Sequence, residues 1–164
     1  MTATELGRRN VSESKTSKKS TRGEETFSAA EKAAMAEAAR ERKAASKRKG
    51  KDPRVEGEKD IQAKIAEMPE SDRVMAARLH ELISEQVPEL IPRTWYGMPA
   101  WNRDGKVLCF FQAASKFDAR YATFGFQDTA LLDDGSMWPT SFALTSLTPA
   151  DEEKLLVLVK RAVG

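Results

Sequence analysis

The sequence predicts an α+β domain: an antiparallel sheet of about four to five strands with helices packed on one face. Three observations lead there. Asp104-Gly105 stands between WNR and the apolar run KVLCFF, and a two-residue turn of the required twist wants the positive φ that glycine supplies freely. Pro92 and Pro99 disfavour helix for the residues before them, so ELIPRTWYGMPAW is pushed toward extended or turning backbone. Helical patterns flank this strand-rich stretch on both sides, and the order helix, helix, meander of strands, helix is that of an α+β fold.

Each element has its own reason. In FSAAEKAAMAEAARERKAASKRKGK, Ser28 followed by Glu31 forms a capping-box pattern, and basic residues then Gly50 close the stretch. A helix over 29–48 follows. Its surface is alanine and charge all round with only Met35 of any size, which describes a solvated helix standing off the domain. Lys51, Asp52, Pro53 and Arg54 read as a linker. Asp60 then caps a short helix bearing Ile61, Ile65 and Met68, ended by Pro69. Ser71 caps a longer one whose apolar stripe is Met75, Leu79, Leu82 and Ile83, and Pro88 stops it near Val87.

A hairpin pairs 98–103 with 106–114. In its second strand Val107, Cys109 and Phe111 alternate to one side, with Leu108 and Phe110 on the other, so both faces call for cover. Further strands are expected at 120–126 and around 140–145, joined by a short helical turn and loop in DTALLDDGSMWP. Thr148, Pro149 and Asp151 mark the start of a closing helix with Leu155, Leu158, Val159 and Ala162 turned inward.

Charge divides the 164 residues unevenly. Residues 1–57 carry 15 Lys+Arg against 9 Asp+Glu, a net of +6, and 58–164 carry 12 against 16, a net of −4, which together give the overall +2. Before Val55 the large apolar residues are only Met1, Leu6, Val11, Phe27 and Met35, too few to offset the entropy of ordering some fifty residues. The expected organisation is a basic, largely disordered tail over 1–57 and a folded domain over 58–164. A single cysteine, Cys109, excludes an internal disulfide and fits a reducing compartment. With no long apolar run and no apolar N-terminal stretch, the expectation is a cytoplasmic protein without a membrane partner.

The residues TWYGMPAW, GKVLCFFQAASKF, RYATFGF and MWPTSFALTSLTPADEEKL resemble the bacterial YdhG-like domain, whose members are often described as frataxin-like iron chaperones. The resemblance covers about 60–164 and implies a compact α+β domain with an antiparallel sheet. It also implies iron as a cargo. Where many relatives carry a histidine after the second strand, this chain reads QAASKFDARYA.

Four groups of residues are candidate sites. A sheet with helices on one face leaves its other face bare, and a bare apolar face is usually a groove or partner surface. Trp95, Tyr96, Met98, Trp101, Phe110, Tyr121, Phe124 and Trp138 are expected on that face or its rim, serving a small ligand, a protein partner or a second copy. Oxygen ligands for iron are sought among Asp128, Asp133 and Asp134 in a glycine-containing loop, and Glu81 with Glu85 on a helix. The clusters KTSKKSTR and RERKAASKRKGK offer weak, salt-dependent attraction to nucleic acid. His80, the single histidine, is placed off the apolar stripe, and Cys109 reads as a small buried hydrophobe. No hydrolase elbow, phosphate loop, metalloprotease helix or CxxC pair is present, so the reading is a binding domain without enzymatic activity.

Overall fold

The computed structural model describes residues 26–164. Four helices and a five-stranded antiparallel sheet make up the domain, with the helices packed against the sheet. Helices α1 (Ala29–Lys47), α2 (Pro53–Ala66) and α3 (Glu70–Gln86) precede strands β1 (Ile91–Trp95), β2 (Met98–Arg103), β3 (Lys106–Gln112), β4 (Ala122–Phe126) and β5 (Ser141–Leu144); α4 (Pro149–Val163) closes the chain. The strands lie in chain order, each antiparallel to the next, and β1 and β5 form the edges.

Both connections at the start of the sheet are two-residue turns in left-handed backbone. Asp104-Gly105 has φ of 50° and 79°, as its sequence predicts. Tyr96-Gly97 does the same at 53° and 73°, so the aromatic heptad is a hairpin with β1 as a strand in its own right. Tyrosine has no local preference for that conformation. A distant carboxylate holds it: Glu41 of α1 accepts hydrogen bonds from the Tyr96 and Gly97 amides, both at 2.8 Å.

The pairing register defines the two faces of the sheet. Pro92, Trp101, Cys109 and Phe126 form one cross-strand row, and Phe111, Phe124 and Phe142 continue the same face. Trp101, Cys109, Phe111 and Phe124 are fully buried in one cluster with Ile61, Ile65, Leu79, Ile83, Leu155 and Val159 from α2, α3 and α4. Strict alternation would send Leu108 to the opposite face. A bulge intervenes: the register jumps from Trp101 opposite Cys109 to Asn102 opposite Val107, leaving Leu108 as the extra residue, and Leu108 joins the core beside Cys109.

Several expectations about the helices change. α1 does not stand off the domain. Ala34 and Ala38 are buried, and α1 runs antiparallel to α2, tied by Lys64 to Glu37 at one end and by Arg48 to Glu56 and Asp60 at the other. Small side chains let α1 approach β1 and the 3-10 turn Ala114–Phe117. The stretch read as a linker starts α2 instead, with Asp52 accepting from the Arg54 amide as N-cap and Pro53 in the first turn, so a boundary at 57/58 falls inside a helix. α3 begins after Pro69 rather than Ser71, and no side chain caps it. The segment between β4 and β5 is irregular rather than helical. α4 starts as expected, with a capping box between Thr148 and Asp151. No helix among the described residues is long and apolar enough to cross a membrane.

Candidate functional site

The eight residues expected on one aromatic surface divide. Trp101 and Phe124 are 0% exposed and belong to the helix-covered core, which corrects their placement. Their positions in β2 and β4 share parity with Cys109 and Phe111, and that face packs against α2, α3 and α4. Trp138 packs against the core from the loop between β4 and β5.

Trp95 and Phe110 do lie on the opposite face. Two rows cross it: Arg93, Ala100, Phe110, Gly125 and Ser141, then Thr123 and Ala143 next to them on β4 and β5. The Trp95 and Phe110 rings lie 5.3 Å apart, and Trp95 meets Tyr96 edge-on at the same distance. Both of the first two rings are half-buried, whereas Tyr96 and Tyr121 are 38% and 37% exposed. Phe110 lies across Gly125, where a Cβ would stand 2.3 Å from the ring, so glycine is what lets the ring lie flat. Met98, expected among these residues, is buried beside them. Arg120 sits over the Tyr121 ring at 5.3 Å. The rings thus raise this face from β1 as far as Gly125 of β4, and the rest is built from Thr123, Ser141 and Ala143.

The carboxylates are scattered. Asp128 and Asp133 border a cavity of about 500 Å³ with Trp138 and Ser136. Glu81 and Glu85 border a different one, of about 700 Å³, on α2 and α3. Glu81 is already paired with Arg78, which also binds Glu152. Among the described residues no group of three or more His, Cys, Asp or Glu side chains is placed to hold a metal. Of the basic clusters, KTSKKSTR lies outside the described residues, and in RERKAASKRKGK Arg48 is committed to Glu56 and Asp60.

Two polar features went unread in the sequence. His80 is buried, 5% exposed, against Trp101; its Nε2 is 2.8 Å from Glu58 and its Nδ1 is 3.5 Å from Ser84. Burial pushes the Glu58 carboxyl up, but hydrogen bonds from Gln62 and His80 outweigh it and hold the group below its ordinary value. A His-Ser pair four apart on a helix was visible; the glutamate 22 residues earlier was not.

The second feature is a cavity of about 230 Å³ where the β1–β2 turn meets α1, the α2–α3 connection and the 3-10 turn Ala114–Phe117. Met68, Met98, Pro99, Phe111 and Ala113 form its apolar wall, and Glu37, Lys64, Glu67 and Lys116 its polar one. Asp72 fixes the floor by accepting from the Ala114 and Ser115 amides, both at 3.1 Å. Cys109 is inert in this setting, since burial pushes its thiol far up.

Compared with protein-family models, with curated proteins and with solved structures, the chain matches none of them.

Proposed function

We propose that the chain is a non-catalytic binding domain of YdhG-like type, with helices on one face of its sheet, and that its helix-free face seats a second copy of the chain. The observation that carries this is the half-exposed Trp95–Phe110 pair, 5.3 Å apart, on the face opposite the core. Flatness argues against an enclosed small molecule, because the Phe110 ring rests on Gly125 rather than walling a hollow. Aromatic residues with Arg93, Gln112 and Thr123 around them match the composition of a protein interface.

Shape selects the second copy. One half of the face is raised by rings that reach over Gly125, and the other half is recessed over Thr123, Ser141 and Ala143, so a two-fold axis sets the ridge of each copy over the shallow half of its partner. Sedimentation velocity across a wide concentration range tests it. Parent protein is expected to dimerise as concentration rises, and Ala143→Arg, at an exposed strand position, is expected to hold it monomeric. A parent that sediments as a monomer throughout, or an Ala143→Arg dimer indistinguishable from it, refutes the proposal.

A further inference from the structure

We propose that the cavity beside the β1–β2 turn is a carbonyl-binding site in which the Lys116 amine forms a reversible imine with a small, uncharged aldehyde. The Lys116 Nζ lies 3.1 Å from where a Cβ on Gly97 would stand, so the glycine at the turn also clears space for the amine. The heptad's Gly97, Met98 and Pro99 and the SKF segment's Ser115 and Lys116, 16 or more residues apart, thus line one hollow.

Charge bookkeeping identifies the ligand class. Lys64 donates to Glu37 at 3.1 Å and to Glu67 at 3.0 Å, which satisfies it and leaves those two acids facing the opening. An anionic ligand would meet both glutamates. Lys116, by contrast, has no hydrogen-bond or salt-bridge partner among the described residues; its Nζ lies 5.7 Å from the Phe117 ring, and Glu37, Glu41 and Lys64 are the charges around it. Burial lowers its basicity, and neighbouring Lys64 adds to this against the opposing pull of Glu37 and Glu41. A half-buried amine of that kind is neutral, and therefore nucleophilic, at lower pH than an exposed lysine. Met68, Met98, Pro99 and Phe111 accept an alkyl chain of a few carbons in the available 230 Å³.

The chemistry balances without a further reagent. The Nζ lone pair attacks the carbonyl carbon to give a carbinolamine; the carbonyl oxygen then leaves as water, carrying both hydrogens of the neutral amine, and a C=N bond remains. Addition of water reverses it. This site is separate from the Trp95–Phe110 face and stands or falls independently of it.

The test is reductive trapping on the full chain: butanal with cyanoborohydride at neutral pH, limited to about one adduct per molecule, followed by peptide mapping. The adduct is expected on Lys116 ahead of exposed lysines such as Lys154, with loss of the preferred label in Lys116→Arg. Gly97→Ala is a second probe. It is expected to slow labelling at Lys116 while labelling at Lys154 is unchanged, with circular dichroism confirming that the variant is folded. Adducts scattered over surface lysines, with Lys116 no faster than Lys154, overturn the assignment.

Discussion

Gly57 is the position at which propensity and packing make opposite predictions. It sits inside α2, where alanine is ordinarily about 0.5–1 kcal/mol better than glycine, so local reasoning expects Gly57→Ala to stabilise the protein. The tertiary contact says otherwise. A Cβ at Gly57 would stand 1.8 Å from the backbone oxygen of Pro92 and 2.9 Å from its carbonyl carbon. Ordinary contact begins near 3.4 Å, so α2 would have to lift off β1 by roughly 1.5 Å. The obstacle is backbone in a strand held by its ladder, not a side chain that can swing aside.

Forced insertion into a packed interface costs about 1–3 kcal/mol, occasionally more. A rigid obstacle at this separation belongs at the upper end, so after the propensity gain the net loss is about 2 kcal/mol. For a domain of this size that lowers Tm by about 4–8 °C. Equilibrium urea unfolding followed by tryptophan fluorescence measures it, since Trp101 is buried next to α3 and reports the opening of the core. Ala63→Gly, at an exposed position of the same helix, is the control; it should cost about 1 kcal/mol through propensity alone. If Gly57→Ala proves as stable as the parent, or more so, the close approach of α2 to β1 is wrong, and with it the packing that orients the whole β1–β2 hairpin.

Other outcomes follow from the same coordinates. Glu41→Ala removes the acceptor shared by the Tyr96 and Gly97 amides and is expected to cost about 1–3 kcal/mol, with faster hydrogen exchange at those two amides; unchanged exchange would mean that α1 does not brace the turn. At the start of α4, the backbone amide and hydroxyl of Thr148 hold the Asp151 carboxyl below its ordinary value, and the Arg78 side chain does the same to Glu152. The unfolded chain therefore binds protons there at higher pH than the folded one. Their stabilisation is complete above the ordinary carboxylate range, near pH 4, and is lost as pH falls through it toward the lower folded values. Asp151→Asn should flatten the acid limb of stability measured by urea unfolding between neutral pH and pH 3; an unaltered slope would show that this cap does not titrate with folding.

Much of the fold was legible because its signals are local. Asp104-Gly105 supplies its own left-handed backbone, Thr148-Pro149 starts α4 by a capping pattern written in four residues, and the apolar run in KVLCFF identifies a strand. The candidate site was half legible for the same reason. Aromatic residues in strands were found, yet parity and register decide which face each one joins, and these assigned Trp101 and Phe124 to the core while Trp95 and Phe110 stayed on the far side. The bulge at Leu108 is invisible to a period-two reading, because it inserts one residue into the count.

By itself the sequence determined the caps of α1 and α4, the Asp104-Gly105 turn, the stop of α3 before Pro88, and the apolar spacing that makes a sheet need cover. Only the tertiary structure decided what the small and charged residues do. Alanines of α1 bury little surface, so their docking depends on Arg48, Lys64 and Glu41 finding partners across the fold, and Lys116 acquires its setting from a turn that lies earlier in the chain. Such contacts join residues far apart in sequence, and their energy exists only once the helices and sheet have brought those residues within reach.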